Sequence, residues 1–294
     1  MSENLKSEFG IVDAPMIELV FSNRAEALIE VLAERVAARQ AGSGFWRPVP
    51  IIVPNPLVKR FVREGLAARN GSAANLDFHY LESLFGKALA PRRLWTPELL
   101  TGRLLLRFQA DGLESAPAAY LAGDDEGRKA LQLAQRLGKL FHDYALHRPG
   151  WLRAWRRGAE AGAAGWQGRL FAEVDRELAG AGFVCPADLA EGAGGLAWPE
   201  GVLIFSLNTL APAYLRALEA LEERKDITLF VLNPCEEFWA DHGARKDFLA
   251  GKDEAMEGHP ALGLWGRPGR DFVARLYDLS EGQDDTRFET PGRA

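Results

Sequence analysis

Apolar residues fall into two rhythms along this chain. Ile17, Leu19, Val20 and Phe21 form a nearly continuous apolar run, as a strand buried on both faces requires. Ser22 and Asn23 follow as N-cap residue types. Leu28, Ile29, Leu32 and Val36 then recur at helical spacing, opposite Glu26, Glu30, Glu34, Arg35 and Arg39. The pattern predicts strand, tight turn and helix over 17–40. A second buried strand, 50–53, is stopped by Pro54-Asn55-Pro56, which cannot continue a ladder. Residues 57–69 predict a helix with Leu57, Val58, Phe61, Val62 and Leu66 inward, and 75–80 a third extended segment. Strands alternating with helices through short loops specify a parallel sheet.

From about Leu81 to Trp198 the rhythm is helical, with almost no strand signal. Leu84, Phe85 and Leu89 make one apolar face, and Leu99, Leu104, Leu105 and Phe108 the next. Leu133, Leu137, Leu140, Phe141 and Tyr144 mark a long helix over 125–147, stopped by Arg148-Pro149-Gly150. Trp151, Leu152 and Trp155 begin another. Trp166, Leu170, Phe171, Val174 and Leu178 carry a further helix ending near Gly180, and the glycines of 191–196 read as a linker. Strand and helix alternation returns with Val202–Phe205, a helix over 213–223, and Ile227–Leu232. Short helices are expected over 235–241 and 269–280. The expected organisation is a leader over 1–15, an α/β part over 16–80, a helical insertion over 81–198, and a second α/β part over 199–294. The polar end, 281–294, predicts a truncated chain without a structural close.

Composition narrows the function classes. The chain has 294 residues, 47% hydrophobic and 26% charged, as an ordinary globular protein does. No apolar run has the length of a membrane span, and Met1–Pro15 is too acidic for a targeting peptide. Cys185 and Cys235 stand far apart, which points to a reducing, cytoplasmic setting. His79, His142, His147, His242 and His259 show no metal-ligand spacing. A net charge of −6 argues against a lone non-specific nucleic-acid binder. Local basic groups remain: Lys59, Arg60, Arg63 and Arg69; Arg92, Arg93, Arg103 and Arg107; Arg148, Arg153, Arg156 and Arg157. Each group taken singly reads as a solvated helix face.

The first strand–turn–helix occupies the position of a phosphate-binding loop. Such a loop needs glycines to turn backbone N–H groups onto phosphate, a Lys for the terminal phosphates and a Ser/Thr for Mg²⁺. Between Phe21 and Glu30 there is no Gly, Lys or Thr. The geometry is expected without its chemistry.

Several stretches together resemble the RecC family, the gamma subunit of exodeoxyribonuclease V. They are Phe21-Ser22-Asn23-Arg24, Ala73-Ala74-Asn75-Leu76-Asp77-Phe78, and Leu140-Phe141-His142-Asp143-Tyr144 followed by Arg148-Pro149-Gly150-Trp151. Further on come Leu210-Ala211-Pro212-Ala213-Tyr214-Leu215 with Ala217-Leu218, Asn233-Pro234-Cys235 with Phe238-Trp239, and Leu264-Trp265-Gly266 with Gly269-Arg270-Asp271. The resemblance runs over about 17–279. It implies a degenerate superfamily-1 helicase fold, a RecA-like parallel sheet flanked by helices, that has lost its ATPase. It also implies RecB-like and RecD-like motor partners, double- and single-stranded DNA as ligands, no cofactor, and reading of the Chi sequence in emerging single strand. In that light Leu203–Asn208 lies where a Walker B strand would end. Ser206 and Leu207 stand there in place of the Asp-Glu pair that holds Mg²⁺ and orients water. Ser22, Asn23, Arg24 and Ser206 thus outline a degenerate nucleotide site. The DNA-contacting positions implied are Pro54, Pro56, Arg60, Tyr80, Gly86, Lys139, Leu140, His142, Asp143 and Arg148, and Arg63 adds a phosphate contact. Leu140 and Arg148 match the family pattern; Pro54, Pro56, Arg60, Lys139, His142 and Asp143 depart from it, and Pro cannot donate to a base edge. As plain structure, Leu140 and Tyr144 would be helix core and Arg148 a helix C-terminal charge.

Three other classes stay open on sequence. An active nucleotide-dependent enzyme would need a site without these motifs. A nuclease would need convergent carboxylates, for which Glu223 with Lys225, or Asp124, Asp125 and Glu126, are weak candidates. A protein–protein adaptor would be favoured by exposed Trp.

Overall fold

The computed structural model describes residues 17–43, 46–110, 112–124, 126–160, 162, 165–195, 201–207, 210–222, 226–234, 266–280 and 284–288. The 1–15 leader, the 235–241 helix, Cys235, Asp125, Asn208, Glu223, Lys225, His242 and His259 lie outside the described residues. In chain order the elements are β1 (Ile17–Ser22), α1 (Ala25–Ser43), β2 (Val49–Ile52), α2 (Pro56–Asn70), β3 (Leu76–His79), α3 (Leu81–Ala88), β4 (Arg93–Leu94), α4 (Pro97–Gln109) and α5 (Ser115–Leu121). They continue with α6 (Arg128–His147), α7 (Pro149–Arg156), α8 (Gly165–Gly180), β5 (Phe183–Val184), a 3-10 helix (Pro186–Gly195), β6 (Val202–Phe205), α9 (Pro212–Glu222), β7 (Ile227–Leu232), α10 (Arg267–Leu279) and β8 (Asp284–Thr286). Two compact units result. One holds residues up to Leu81, Ala197–Leu210 and Leu221 onward; the other holds Glu82–Leu196 and Ala211–Ala220.

The first unit is built on a six-stranded sheet in the order β3-β2-β6-β7-β1-β8, with every described pair parallel. Register sorts the apolar runs into two faces. Val20 lies opposite Phe230, Phe205 opposite Phe230, and Ile51 opposite Leu203. That face packs under Leu28, Leu32 and Val36 of α1 and Val62 and Leu66 of α2. On the other face Phe21 stacks on Tyr277 of α10, ring centroids 5.4 Å apart. Each fully buried side chain of this size contributes roughly 1.5–3 kcal/mol relative to exposure. The chain runs from β1 through β2 to β3 in one direction across the sheet, and from β6 through β7 to β8 in the other. That reversal beside β1 and β7 marks the crevice where parallel sheets hold ligands.

Two expectations fail in this unit. Leu57 does not point inward but is 80% exposed. Asn55 caps α2 by accepting the Val58 amide at 3.0 Å, and the helical step of about 100° per residue puts Leu57 about 140° from Val62 and about 180° from Leu66. The stripe therefore falls on Val62 and Leu66. Ser22 and Asn23 do not stand immediately before α1; Arg24 does. Within the polar C-terminal stretch, Asp284–Thr286 forms β8 beside β1.

The second unit is helical. Its core gathers Trp95, Leu100, Leu104, Phe108, Leu137, Phe141, Leu152, Trp155, Phe171, Val174 and Leu178 from α4, α6, α7 and α8. Phe141, Trp155 and Phe171 meet edge to face, with centroids 5.4–6.3 Å apart. Strands β4 and β5 pair as a small parallel sheet, which the helical rhythm gave no sign of. The Arg148-Pro149-Gly150 stop is only a break of one residue, because α7 starts at Pro149. The glycines placed in a linker continue a 3-10 helix to Gly195.

Helices α4 and α6 approach at Gly138. A Cβ there would lie 2.7 Å from the Thr101 hydroxyl oxygen and 2.8 Å from the Pro97 carbonyl oxygen. Backbone cannot yield to relieve that clash. Gly138→Ala is expected to destabilise the chain by about 1–3 kcal/mol in urea denaturation. Gly102→Ala on α4 meets nothing within 4 Å and serves as the control. It should be neutral or stabilising by up to about 1 kcal/mol.

Candidate functional site

All carboxyl ends of the parallel strands share one edge of the sheet, and the turn after β1 lies on it. Only Asn23 and Arg24 separate β1 from α1. A phosphate-cradling loop requires a longer glycine-rich excursion there. The groups at this turn are engaged within the protein. Ser22, fully buried, donates its hydroxyl to the Arg287 carbonyl at 2.6 Å and accepts the Arg24 amide at 3.0 Å. The Asn233 amide donates to the Ser22 carbonyl at 2.9 Å, and the Arg287 amide to the Phe21 carbonyl at 2.7 Å. Arg24 extends outward to Glu26 at 3.9 Å.

Two strands away, Ser206 follows the end of β6. Its φ is 56°, a left-handed conformation costing a non-glycine residue roughly 1–2 kcal/mol. Its amide donates to the Phe230 carbonyl at 2.8 Å, and Leu207 turns into the protein. The residue after this turn, Leu207, is thus an apolar side chain in the core. Among the described residues no cluster of His, Cys, Asp or Glu could hold a metal ion.

The same edge carries the first group of expected DNA-contacting residues. Pro54, Pro56, Arg60, Arg63 and Tyr80 are all exposed, beside the exposed Leu57 and Phe61. Arg60 pairs with Glu64 at 2.7 Å, one turn along α2. Both side chains are largely in water, so this pair is weak and easily exchanged. Lys59 lies over the Phe78 ring at 5.3 Å.

The second group lies in the helical unit. Lys139, His142 and Asp143 of α6 line one open cleft of about 540 Å³ with Pro97, Glu98 and Thr101 of α4 and Gln135. His142 is held by the edge of Trp95, ring centroids 6.1 Å apart. Hydrogen bonds from the Thr96 hydroxyl and from its own backbone amide keep the Glu98 carboxyl below the usual carboxylate range. Leu140 is not in the cleft; it packs against the helical core with Tyr144. Gly86 sits in α3, with room for a Cβ 3.7 Å from Leu94. Arg148 is exposed at the joint of α6 and α7, its guanidinium 5.7 Å over the Trp151 ring. Glu98, Thr101 and Gln135 were not singled out on sequence. The spacing of Gln135, Lys139 and His142 is the signal that could have found one of them, since it places all three on one helix face.

The third basic group divides. Arg157 is exposed, but Arg156 turns inward and holds Asp175 with two bonds, 2.7 and 3.2 Å, and reaches Asp188 as well. Arg153 joins Asp188 at 3.3 Å, and the Trp95 indole donates to Asp175 at 3.3 Å. Burial opposes the Arg156 charge, yet its bonds to Asp175 and Asp188 raise its pKa overall. Burial also pushes the neighbouring Cys185 thiol up, so it stays protonated and unreactive. Arg153 and Arg156 are thus tied into the fold through Asp175 and Asp188.

A parallel sheet flanked by helices, with its first turn at the nucleotide position, defines a RecA-like α/β protein whose phosphate loop and metal carboxylates are missing from the described residues. Across residues 17–293 the sequence matches the family described as RecC, N-terminal domain, and the chain belongs to that family. It is 26% identical to the RecBCD enzyme subunit RecC of Escherichia coli K12 over 93% of its own length. It is 24% identical to the RecBCD enzyme subunit RecC of Haemophilus influenzae over 88% of its length. The chain spans only 29% and 30% of the lengths of these relatives. No helix among the described residues is long and apolar enough to cross a membrane.

The adjacent arginines Arg156 and Arg157 separate structure from surface. Arg156→Ala leaves Asp175 and Asp188 without their main partner and should cost about 3 kcal/mol of stability in urea denaturation. Arg157→Ala should stay within about 0.5 kcal/mol of the parent.

Proposed function

We propose that this chain is a non-catalytic, DNA-binding subunit of a RecBCD-type helicase–nuclease in double-strand break repair and recombination. It acts in the cytoplasm with RecB-like and RecD-like motor subunits, on double-stranded DNA and the single strand emerging from it. Residues 16–80 and 199–294 are two parts of one helicase-like domain, and 81–198 is its insertion. The observation that carries the proposal is membership of the RecC N-terminal family over 17–293. The two-residue turn after β1 and the apolar end of β6 support a sheet kept as scaffold without ATP chemistry. Exposed Arg60, Arg63 and Tyr80 on the sheet edge support contact with single strand, as do Lys139, His142, Asp143 and Arg148 on the helical unit. Cations would meet phosphates, and aromatic faces the bases. Scanning for a Chi-type sequence is part of the proposal, with a readout in which Pro54 and Pro56 donate no hydrogen bond to a base.

A second reading, a protein–protein adaptor for the motor subunits, draws on Trp46 and Leu57, which are 85% and 80% exposed. Large apolar side chains in water are frequent anchors of interfaces.

Two measurements test the proposal. Equilibrium binding of labelled ATP with Mg²⁺ should show no saturable site in the micromolar range. Saturation that is lost on changing Asn23 or Arg24 would overturn the scaffold assignment. In the assembled complex, fluorescence anisotropy with a single-stranded oligonucleotide should show affinity falling with salt. Arg60→Ala and Arg148→Ala should each weaken binding and reduce the salt slope by about 1. If both leave affinity and slope unchanged, the adaptor reading takes its place.

A further inference from the structure

Strand β3 is an outer strand of the six-stranded sheet and pairs on one side only, with β2. In a parallel ladder alternate residues turn both backbone groups to the neighbour, and the residues between them turn theirs away. The Val49 amide donates to the Asn75 carbonyl at 2.9 Å and the Val53 amide to the His79 carbonyl at 3.0 Å, so Asn75, Asp77 and His79 face β2. Leu76 and Phe78 therefore turn their amides and carbonyls outward, and among the described residues none of these four groups has a partner. The two faces beside this edge differ in charge. Lys59 of α2 lies over the Phe78 ring, 5.3 Å from its centroid. Arg63 follows one turn on, along the flank of α2 turned away from α1; Gly65 marks the other flank, where a Cβ would meet Ile29 of α1 at 2.7 Å. Neither Lys59 nor Arg63 has a carboxylate partner among the described residues. On the opposite face the Asp77 carboxylate lies 2.8 Å from the His79 ring.

From this open row of backbone groups beside two uncompensated cations, we infer that the β3 edge takes an extended segment of a partner protein as a further strand, one whose side chains facing α2 are acidic. An unpaired strand edge is a template for another polypeptide, because only a peptide backbone brings donors and acceptors in the same alternation. Residues two apart in a strand are about 6.6 Å apart, and helix residues four apart rise about 6 Å, so alternate carboxylates of the guest match Lys59 and Arg63 together. A second copy of this chain fits poorly. A two-fold axis through the edge would set α2 beside α2 and bring Lys59 and Arg63 of both copies together, like charge against like. A phosphate backbone answers the cations but brings no donor for the two outward carbonyls. The inference thus stands apart from DNA binding, although Arg63 serves both.

The test adds a capped peptide of alternating Glu and Val, at up to millimolar concentration, to the nitrogen-15-labelled 294-residue chain. The Leu76 and Phe78 amides are expected to shift and to gain protection from hydrogen exchange, and a peptide of alternating Lys and Val should bind more weakly. Phe78→Pro deletes an outward amide and leaves the β2 ladder intact, whereas Phe78→Ala loses the ring and keeps the amide. The Pro variant should bind the Glu–Val peptide about fivefold more weakly than the Ala variant, as the loss of one hydrogen bond requires. Lys59→Glu and Arg63→Glu change only surface charge, so they test the inference even if the Phe78 variants do not fold, and each should weaken binding several-fold. No change at the Leu76 and Phe78 amides would overturn the inference, as would equal binding of the Lys–Val peptide or unaltered binding by the charge variants. Self-association of the chain that is lost in Phe78→Pro would overturn the choice of occupant in favour of a second copy. Protection of the same two amides by oligo(dT), and not by the peptide, would overturn it in favour of nucleic acid. Peptide binding without oligonucleotide binding would support the inference and count against the DNA-binding proposal alone.

Discussion

Strand β1 is the constraint from which the sheet unit is built. It is closed on both sides by parallel ladders, to β7 from Ile17 to Ser22 and to β8 from Leu19 to Phe21. Its side chains are buried on both faces, between α1 on one and α10 on the other. A strand so enclosed cannot shift register without exposing its apolar residues and unpairing its backbone. Its end is therefore fixed, and the chain leaving it must enter α1 within two residues. The Ser22 hydroxyl and the carbonyls of Phe21 and Ser22 are bound by chain segments that follow β7 and β8. Bonds that tie strand ends together occupy the place where a motor protein would hold phosphate.

The parts of the fold that depend on burial were legible in the sequence. The apolar runs at 17–21, 50–53, 202–205 and 227–232 mark strands because a central parallel strand has no solvent face to keep polar. Strand β8 was hidden for the opposite reason. Asp284, Asp285 and Thr286 carry no apolar signal, and their strand exists because the open edge of β1 offers a ladder. The two-residue strands β4 and β5 are likewise set by tertiary pairing of residues about ninety positions apart, which no local pattern encodes. Leu57 was counted inward for being apolar, but the helical period sets it on the face opposite Leu66, in solvent.

The candidate site was legible in part. That Gly, Lys and Thr are absent between Phe21 and Glu30 is a property of the sequence itself, and the two-residue turn there is what the structure adds. Lys139, His142 and Asp143 do line one cleft, but Leu140 between them faces the core, as the helical period dictates. The opposite wall, Glu98 and Thr101, comes from a helix some forty residues earlier and could be joined to α6 only by packing. The basic cluster over 148–157 shows the limit of charge counting. Arg156 and Arg157 are neighbours in sequence, yet one neutralises buried carboxylates and the other meets water.

The glycine at position 138 gives the α4/α6 cleft a property that its lining residues alone would not. By letting α6 come against Thr101 and the Pro97 carbonyl of α4, it fixes the separation of the two helices whose side chains line the cleft. Helices held that close cannot part or slide without disturbing the packed core beside them. The spacing of the two cleft walls is therefore settled during folding, with no later ordering left to do.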